Sequence, residues 1–408
     1  MKIYEKWNSI SLIIRIVCGM IIGVILGLLI PHATGIAILG DLFVGALKAI
    51  APILVLVLVA SSLANARGGH AHKFRTVILL YLLSTMAASA LAVIVNFLFP
   101  TSVPVEGVTA SEEFVAPSGM SEVITNLLKN VVANPVDAVL NANYIGILFW
   151  AVILGLALKH SSDGTKRFLD DLADAISKIV RWIISFAPFG ILGLVFNSVS
   201  TSGIDIFVTY GHLVAVLVCT MLLVAFALNP LIIGLFLRHN PYPLIWKCIR
   251  TSGVTAFFTR SSAANIPVNM ELCEDLGLDE DMYSVSIPLG ATINMSGAAV
   301  TITTFSLSAA YTMDIPVSIG MAIVLSFVGA FSACGASGVA GGSLLLIPLG
   351  CSLFGVAPDV AMAFVGVGFI IGVIQDSMET ALNSSGDAIF TATAEFREWK
   401  KEGRALPL

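Results

Sequence analysis

Four stretches of the chain stay apolar long enough to cross a bilayer: Ile10 to Ile30, Leu39 to Ala64, Thr76 to Phe99 and Ile204 to Leu237. About 20 apolar residues are needed, because each helical residue rises 1.5 Å against roughly 30 Å of hydrocarbon. Between Ser121 and Ser200 the pattern is choppier. It holds one clear run, Tyr144 to Leu158, and an amphipathic stretch from Lys166 that turns apolar after Val180. Two further helices are predicted there, one of them bent or segmented. Pro100 to Met120 carries Glu106, Glu112 and Glu113 among Pro and Gly, and predicts an exposed loop.

The last third differs in kind. Its apolar stretches are interrupted by three small polar clusters: TRSSAAN (Thr259 to Asn265), GATINMSGAA (Gly290 to Ala299) and SACGASGVAGG (Ser332 to Gly342). Each is flanked by about 10 to 15 moderately apolar residues, too few to span singly. A helix running in, a polar tip and a helix running back fit the first and third clusters. These are expected to be re-entrant hairpins, one from each side of the membrane. The central cluster predicts a break in a helix, since Asn and Gly favour unwinding.

Composition agrees with this threading. The 408 residues are 57% hydrophobic and 12% charged, with a mean hydropathy of +0.95. That excludes a soluble domain, a coiled coil, a collagen and a disordered chain, and leaves room for about eight spans. Six scattered cysteines show no metal-binding or disulfide spacing, and no basic patch marks a nucleic-acid surface. Basic residues sort to one side. Lys2, Lys6 and Arg15, then Arg67, Lys73 and Arg75, then Lys159, Lys166 and Arg167, then Arg238, Lys247 and Arg250 fall at alternate ends of the spans. The loops between them lack Lys and Arg, and Arg397, Lys400, Lys401 and Arg404 close the chain. Both termini are therefore expected on the cytoplasmic side, with the first span retained rather than cleaved as a signal peptide.

The chemistry concentrates on the last span, roughly Ala357 to Arg397, which carries Asp376, Glu379 and Asp387. Each ionised carboxylate costs at least about 2.5 kcal/mol at mid-bilayer unless paired or hydrated. Asp376, Thr380, Asn383 and Asp387 lie at i, i+4, i+7 and i+11, one face of a helix. With no basic residue on that helix before Arg397, a small hard cation, sodium or a proton, is the natural neutraliser. For any single acid, a structural hydrogen bond or pairing with Arg260 is the alternative. The GATINMSG cluster offers backbone carbonyls with the side chains of Thr292, Asn294 and Ser296, and unwound carbonyls suit cations. Hairpin tips that expose helix amino ends suit a substrate carboxylate. A rival from another class is an intramembrane serine hydrolase, with Gly335-Ala336-Ser337-Gly338 as a nucleophile turn. Its base would have to be His212, since the other five histidines lie at loops or helix ends. An aspartyl dyad of Asp376 and Asp387 fails, because eleven residues of helix separate them by about 16 Å.

TRSSAAN, PLGATINM, the GVAGG tip and the final Asn-Ser-Ser-Gly-Asp resemble the dicarboxylate/amino acid:cation symporter family, the glutamate-transporter fold. The nearest resemblance is to its bacterial serine/threonine:sodium branch. It covers most of the chain and is densest from Thr251 to Asp387. It implies an all-α, polytopic membrane protein with about eight spans and two re-entrant hairpins in an inverted repeat, in the bacterial inner membrane and as a homotrimer. Residues 1–75 would be scaffold helices 1 and 2, residues 76–100 helix 3 of a transport domain, and residues 101–200 scaffold helices 4 and 5 with an extracellular loop at 101–120. Residues 201–408 would complete the transport domain: helix 6, hairpin 1 at about 241–275, helix 7 at about 280–312, hairpin 2 at about 316–352, helix 8 at about 357–397 and a cytoplasmic tail.

The resemblance also implies roles. Asp376 would hold a substrate ammonium, Asn383 its carboxylate with Ser261 and Ser262 of the first tip, and Thr380 would lie beside them. One sodium ion would use the Asp387 carboxylate with carbonyls of Gly290, Asn294 and Asn383. A second would use carbonyls of Thr292, Ala333, Cys334 and Ala336. A third family site matches Tyr81, Ser84, Thr85 and the Asn294 side chain. Two departures bear on substrate and stoichiometry. Glu379 stands where acidic-substrate members carry an Arg, and Ser296 and Ala298 stand where they carry Asp and Thr. The first disfavours aspartate and glutamate by charge repulsion and suits a hydroxyl donor, hence L-serine and L-threonine. The second weakens the third sodium site. A proton-coupled or acidic-amino-acid transporter of the same fold is the alternative.

Overall fold

The computed structural model describes residues 10, 12–65, 71–103, 132–141, 143–203, 206–336 and 341–407. Most of the loop expected at Pro100 to Met120, and Ser337 and Gly338 of the second tip, lie outside these. The described residues form helices and turns with no strand. In chain order the helices are α1 (Leu12–Leu29), α2 (Ile38–Asn65), α3 (Ala71–Leu98), α4 (Pro135–Leu140), α5 (Tyr144–Leu158), α6 (Asp163–Ser185) and α7 (Ala187–Ser202). They continue with α8 (Ile206–Leu223), α9 (Asn229–Leu237), α10 (Tyr242–Cys248), α11 (Val254–Thr259), α12 (Ile266–Asp275), α13 (Glu280–Ile293) and α14 (Ser296–Thr312). The last are α15 (Ile319–Ala333), α16 (Ile347–Ser352) and α17 (Pro358–Lys401).

Among the described residues, five helical segments are long and apolar enough to cross a membrane: Thr34–Asn65, Arg75–Leu98, Val208–Leu237, Met282–Thr312 and Pro358–Lys401. The pair Asp163–Ser185 and Ala187–Thr201, bent by 52°, makes a sixth if counted as one span. The bend falls in the region where one bent or segmented helix is expected, at Pro188 in the first turn of α7, which cannot continue the preceding hydrogen-bond ladder. Ile14–Leu29 and Phe149–Leu158 are apolar but shorter, so length and composition alone give five or six spans rather than about eight.

Small residues set how the helices approach. Gly19, Gly23 and Gly27 fall one turn apart on α1, and a Cβ at Gly23 would meet the Leu192 carbonyl oxygen of α7 at 2.6 Å. Backbones packed that closely exclude any side chain there. α2 packs against α5, α6 and α7. A second set of contacts joins α3, α14, α15 and α17, with α10 to α12 and α13 also resting on α17. The exterior is oily, as at Leu235, which is 70% exposed, whereas α14 is buried from Ser296 to Ala310. Hydrocarbon outside and polar groups inside are what a lipid solvent demands, since an unpaired polar group facing lipid costs several kcal/mol, on the order of its full desolvation.

Two π-turns interrupt these helices. Val224–Leu228 joins α8 to α9 just before Asn229-Pro230, and Ile249–Gly253 joins α10 to α11. Proline 230 lacks an N–H, which explains the widened turn before it. Segment 242–275 comprises α10 and α11, a turn at Arg260 to Asn265, and α12. In segment 319–352, α15 and α16 flank the third small polar cluster, of which residues 337–340 lie outside the described residues. Between them, α13 and α14 are separated at Asn294–Met295, where the GATINMSG cluster predicts the break.

Candidate functional site

α17 carries Asp376, Glu379, Thr380, Asn383 and Asp387 into the interior, all of them buried. The broken ends of α13 and α14, the turn at 260–265 and the described residues 334–336 and 341–343 lie against this stripe. Every polar contact below follows from that convergence, because a polar atom inside the bundle must find its partner there.

Asp376 is where the two turns meet. Its Oδ2 accepts from Arg260 Nε at 2.6 Å, and its Oδ1 accepts from the Gly341 backbone N–H at 3.2 Å. Arg260 ends α11 in the left-handed conformation at φ 53°, which costs about 1–2 kcal/mol for a side-chain-bearing residue. The buried ion pair offsets that strain. The pairing with Arg260 that the sequence holds open for a single acid is thus made at Asp376. Gly341 sits at φ 74°, where a Cβ would also press on the Phe369 ring at 2.9 Å. Thr380 Oγ1 donates to the Asp376 carbonyl at 2.7 Å.

Asn383 Oδ1 accepts from the Gly297 N–H at 2.7 Å and so caps the first turn of α14. Among the described residues its amide nitrogen meets only the Met295 thioether, at 3.4 Å, a weak acceptor. A strong donor is left for something better. Ser262 is buried at the first turn, and Ser261, half-buried, accepts from the Ala264 N–H at 3.2 Å. The turn is clipped to α17 by Asn265 and Asn269, whose amides donate to Ser384 Oγ at 2.7 and 3.1 Å. Asn265 also donates to Ser252 Oγ, at 2.9 Å in the π-turn. The clip carries no pattern in the sequence, because its residues lie more than a hundred positions apart.

Asp387 has no measurable exposure. Its Oδ1 accepts from Asn294 Nδ2 at 2.9 Å, and the same nitrogen lies 3.1 Å from the Asn383 carbonyl oxygen. Among the described residues, Asp387 Oδ2, Asn294 Oδ1 and Thr85 Oγ1 are buried with no hydrogen-bond partner. Oxygens of these kinds are ones a hard cation accepts. Gly290 makes the close approach possible: a Cβ there would lie 2.7 Å from Asp387 Oδ1 and 2.8 Å from the Tyr81 hydroxyl. Among the described residues no group of three His, Cys, Asp or Glu could hold a metal ion.

The other predicted ligands are placed as follows. Tyr81 lies within hydrogen-bond distance of the Ser286 and Asp387 carbonyls and of Thr391 Oγ1, at 3.2, 3.1 and 3.0 Å. Ser84 Oγ donates to Asn229 Oδ1 at 2.9 Å, and Ser296 is buried at the start of α14. Cys334 Sγ contacts the Ile293 carbonyl at 3.5 Å, which sets the second turn, with Ala333 and Ala336, against the end of α13 next to Thr292. Thr292 Oγ1 itself donates back to the Leu289 carbonyl at 2.7 Å. Three partners of Glu379 escape sequence reasoning: Thr301, Ser343 and Gln375. Of these only Gln375, one turn before Glu379, shares a pattern with the stripe.

His212 is exposed and lies 3.3 Å from Thr101 Oγ1 through its Nδ1. The hydrolase nucleophile Ser337 falls outside the described residues.

An apolar shell around buried carboxylates, amides and broken helix ends defines a multi-pass membrane protein with a polar interior site, the arrangement of a secondary transporter. Residues 12–395 match the model of the Sodium:dicarboxylate symporter family. The chain belongs to that family. It is 57% identical over 404 residues to a serine/threonine transporter SstT of Bifidobacterium adolescentis, covering 99% of this chain and 94% of the relative. It is 56% identical over 400 residues to one of Streptococcus thermophilus, covering 98% and 99%. A third, from Streptococcus agalactiae, is 56% identical over 394 residues, covering 97% and 98%. The chain is a transporter, and the serine hydrolase reading falls.

Proposed function

We propose that this chain is a sodium-coupled symporter that imports L-serine and L-threonine by alternating access. Relatives 56–57% identical along nearly the whole chain carry the name serine/threonine transporter. The observation that carries the coupling is the pair of bare buried acceptors, Asp387 Oδ2 and Asn294 Oδ1. A sodium ion at Asp387, with carbonyls of Gly290, Asn294 and Asn383, satisfies a carboxylate that no cation among the described residues pairs with. A second ion uses carbonyls of Thr292, Ala333, Cys334 and Ala336. At the third family position Tyr81 and Ser84 are already engaged and Ser296 brings no charge, while Thr85 Oγ1 and Asn294 Oδ1 are bare, which makes it the weakest of the three ion positions.

The substrate ammonium takes Asp376, displacing the Arg260 guanidinium that pairs with it. The carboxylate takes the under-used Asn383 amide and the tip carrying Ser261 and Ser262, with Thr380 holding the turn of helix between them. Glu379 faces the side chain and accepts a hydroxyl, whereas a side-chain carboxylate is repelled. This leaves out the acidic-amino-acid reading. The chain adopts eight spans and two re-entrant hairpins with both termini in the cytoplasm of a bacterial inner membrane, as a homotrimer. α1, α2 and α4 to α7 form the scaffold, and α3 with α8 to α17 the moving unit, a division supported by the two sets of helix contacts. The test is uptake of labelled serine, threonine, alanine and aspartate into proteoliposomes under an inward sodium gradient. Serine and threonine should accumulate and aspartate should not. Accumulation under a proton gradient with potassium on both sides would overturn sodium coupling.

A further inference from the structure

Glu379 makes no ion pair among the described residues, yet it accepts more side-chain hydrogen bonds than Asp376 or Asp387. Three donors from three elements converge on one of its oxygens. Thr301 Oγ1 of α14 donates to Oε2 at 2.7 Å, Ser343 Oγ beyond the second turn at 2.8 Å, and Gln375 Nε2 of α17 at 2.6 Å. Gln375 Nε2 also donates to Thr301 Oγ1 at 2.8 Å, so the donors are themselves linked. All four residues are buried. Every hydrogen bond that Glu379 accepts among the described residues goes to Oε2. The Gln375 amide oxygen is buried without a partner.

We propose that Thr301, Ser343 and Gln375 are positioning residues for substrate selection. They replace water around Oε2 and fix the carboxylate plane, so that Oε1 is offered in one orientation to the hydroxyl of serine or threonine. The physical reason is directional: three charge-assisted donors saturate one oxygen, and a fourth donor can be accepted only at the other. An acceptor held rigidly discriminates more sharply than one that can swing to find a water, because alanine then leaves it unpaired. Ser343 follows the second turn, so the acceptor is fully set only while that segment rests on α17.

This inference rests on the reading of Glu379 as the hydroxyl acceptor, and the experiment separates the two. Dissociation constants for serine and for alanine are measured in detergent at fixed sodium for wild type, Thr301→Val, Thr301→Ser, Ser343→Ala and Glu379→Gln. Thr301→Val and Ser343→Ala should each weaken serine about five- to tenfold while alanine changes less than about twofold, and Thr301→Ser should restore serine. Half-saturation by sodium should not move. If serine and alanine weaken together, or neither weakens, the three residues are only packing groups and the proposal is wrong. If Glu379→Gln itself leaves the preference for serine intact, the reading of Glu379 fails. If Glu379→Gln abolishes the preference while both donor variants keep it, the positioning role alone fails. Ser343→Ala sits at a turn and keeps the test decisive should Thr301→Val fail to fold.

Discussion

Asp387→Asn separates an ion site from a structural carboxylate, because the two roles predict opposite signs. In the structure Oδ1 accepts one neutral amide hydrogen bond and Oδ2 accepts none. Without an ion, the buried charge is thus poorly compensated, and removing it should leave the ion-free protein as stable or more stable. With an ion the balance reverses. At an oxygen–cation contact of about 2.4 Å and an effective dielectric of about 20, a full charge contributes roughly 7 kcal/mol of gross attraction, part of which an amide oxygen retains. A hundredfold loss of sodium affinity, about 2.7 kcal/mol, is a conservative share of that. Sodium at a hundred times the wild-type dissociation constant should stabilise wild type by about 2.7 kcal/mol and the variant by only about 0.4 kcal/mol. The assay is thermal unfolding in detergent, titrating sodium against choline at constant ionic strength. Wild type should show the larger rise in midpoint, and Asp387→Asn a midpoint that starts no lower and rises less, by the share of the second ion site alone. A variant with a lowered midpoint in choline and an undiminished sodium shift would refute the reasoning and make Asp387 a structural group.

Gly290→Ala should raise the sodium needed for half-maximal serine uptake and lower the melting midpoint, since overpacking costs about 1–3 kcal/mol and the new methyl falls on Asp387 and Tyr81; normal sodium dependence would show that Gly290 has room to spare. Arg260→Gln should lower stability without substrate, as a partnerless buried carboxylate costs about 3–5 kcal/mol, while enlarging the melting shift produced by serine. A smaller serine shift would mean that the substrate ammonium does not compete with Arg260. Glu379→Arg should lose serine uptake and let aspartate compete for the site; unchanged serine transport would remove Glu379 from substrate recognition.

The sequence by itself determined that this chain lives in lipid, where its long helices run, and that its chemistry lies on one face of the last helix. Those conclusions rest on local and periodic signals: length against bilayer thickness, and an i, i+4, i+7, i+11 spacing that a helix aligns whatever surrounds it. The break at Asn294 and the helical segments on either side of the polar tips were legible for the same reason, since Gly, Asn and Ser act on the backbone where they stand. Tertiary structure alone decided the partners. Arg260 meets Asp376 across 116 positions, Asn294 meets Asp387 across 93, and Thr301 and Ser343 meet Glu379 across 78 and 36. No spacing rule reaches that far. The sequence read three self-repelling acids that needed cations, whereas the packed helices give each a different remedy. Asp376 receives a guanidinium, Glu379 a ring of neutral donors, and Asp387 a single amide with one oxygen left bare. In a medium without water each buried charge must be compensated by whatever the fold brings within 3 Å, so the fold assigns their different tasks to side chains that look alike in the sequence.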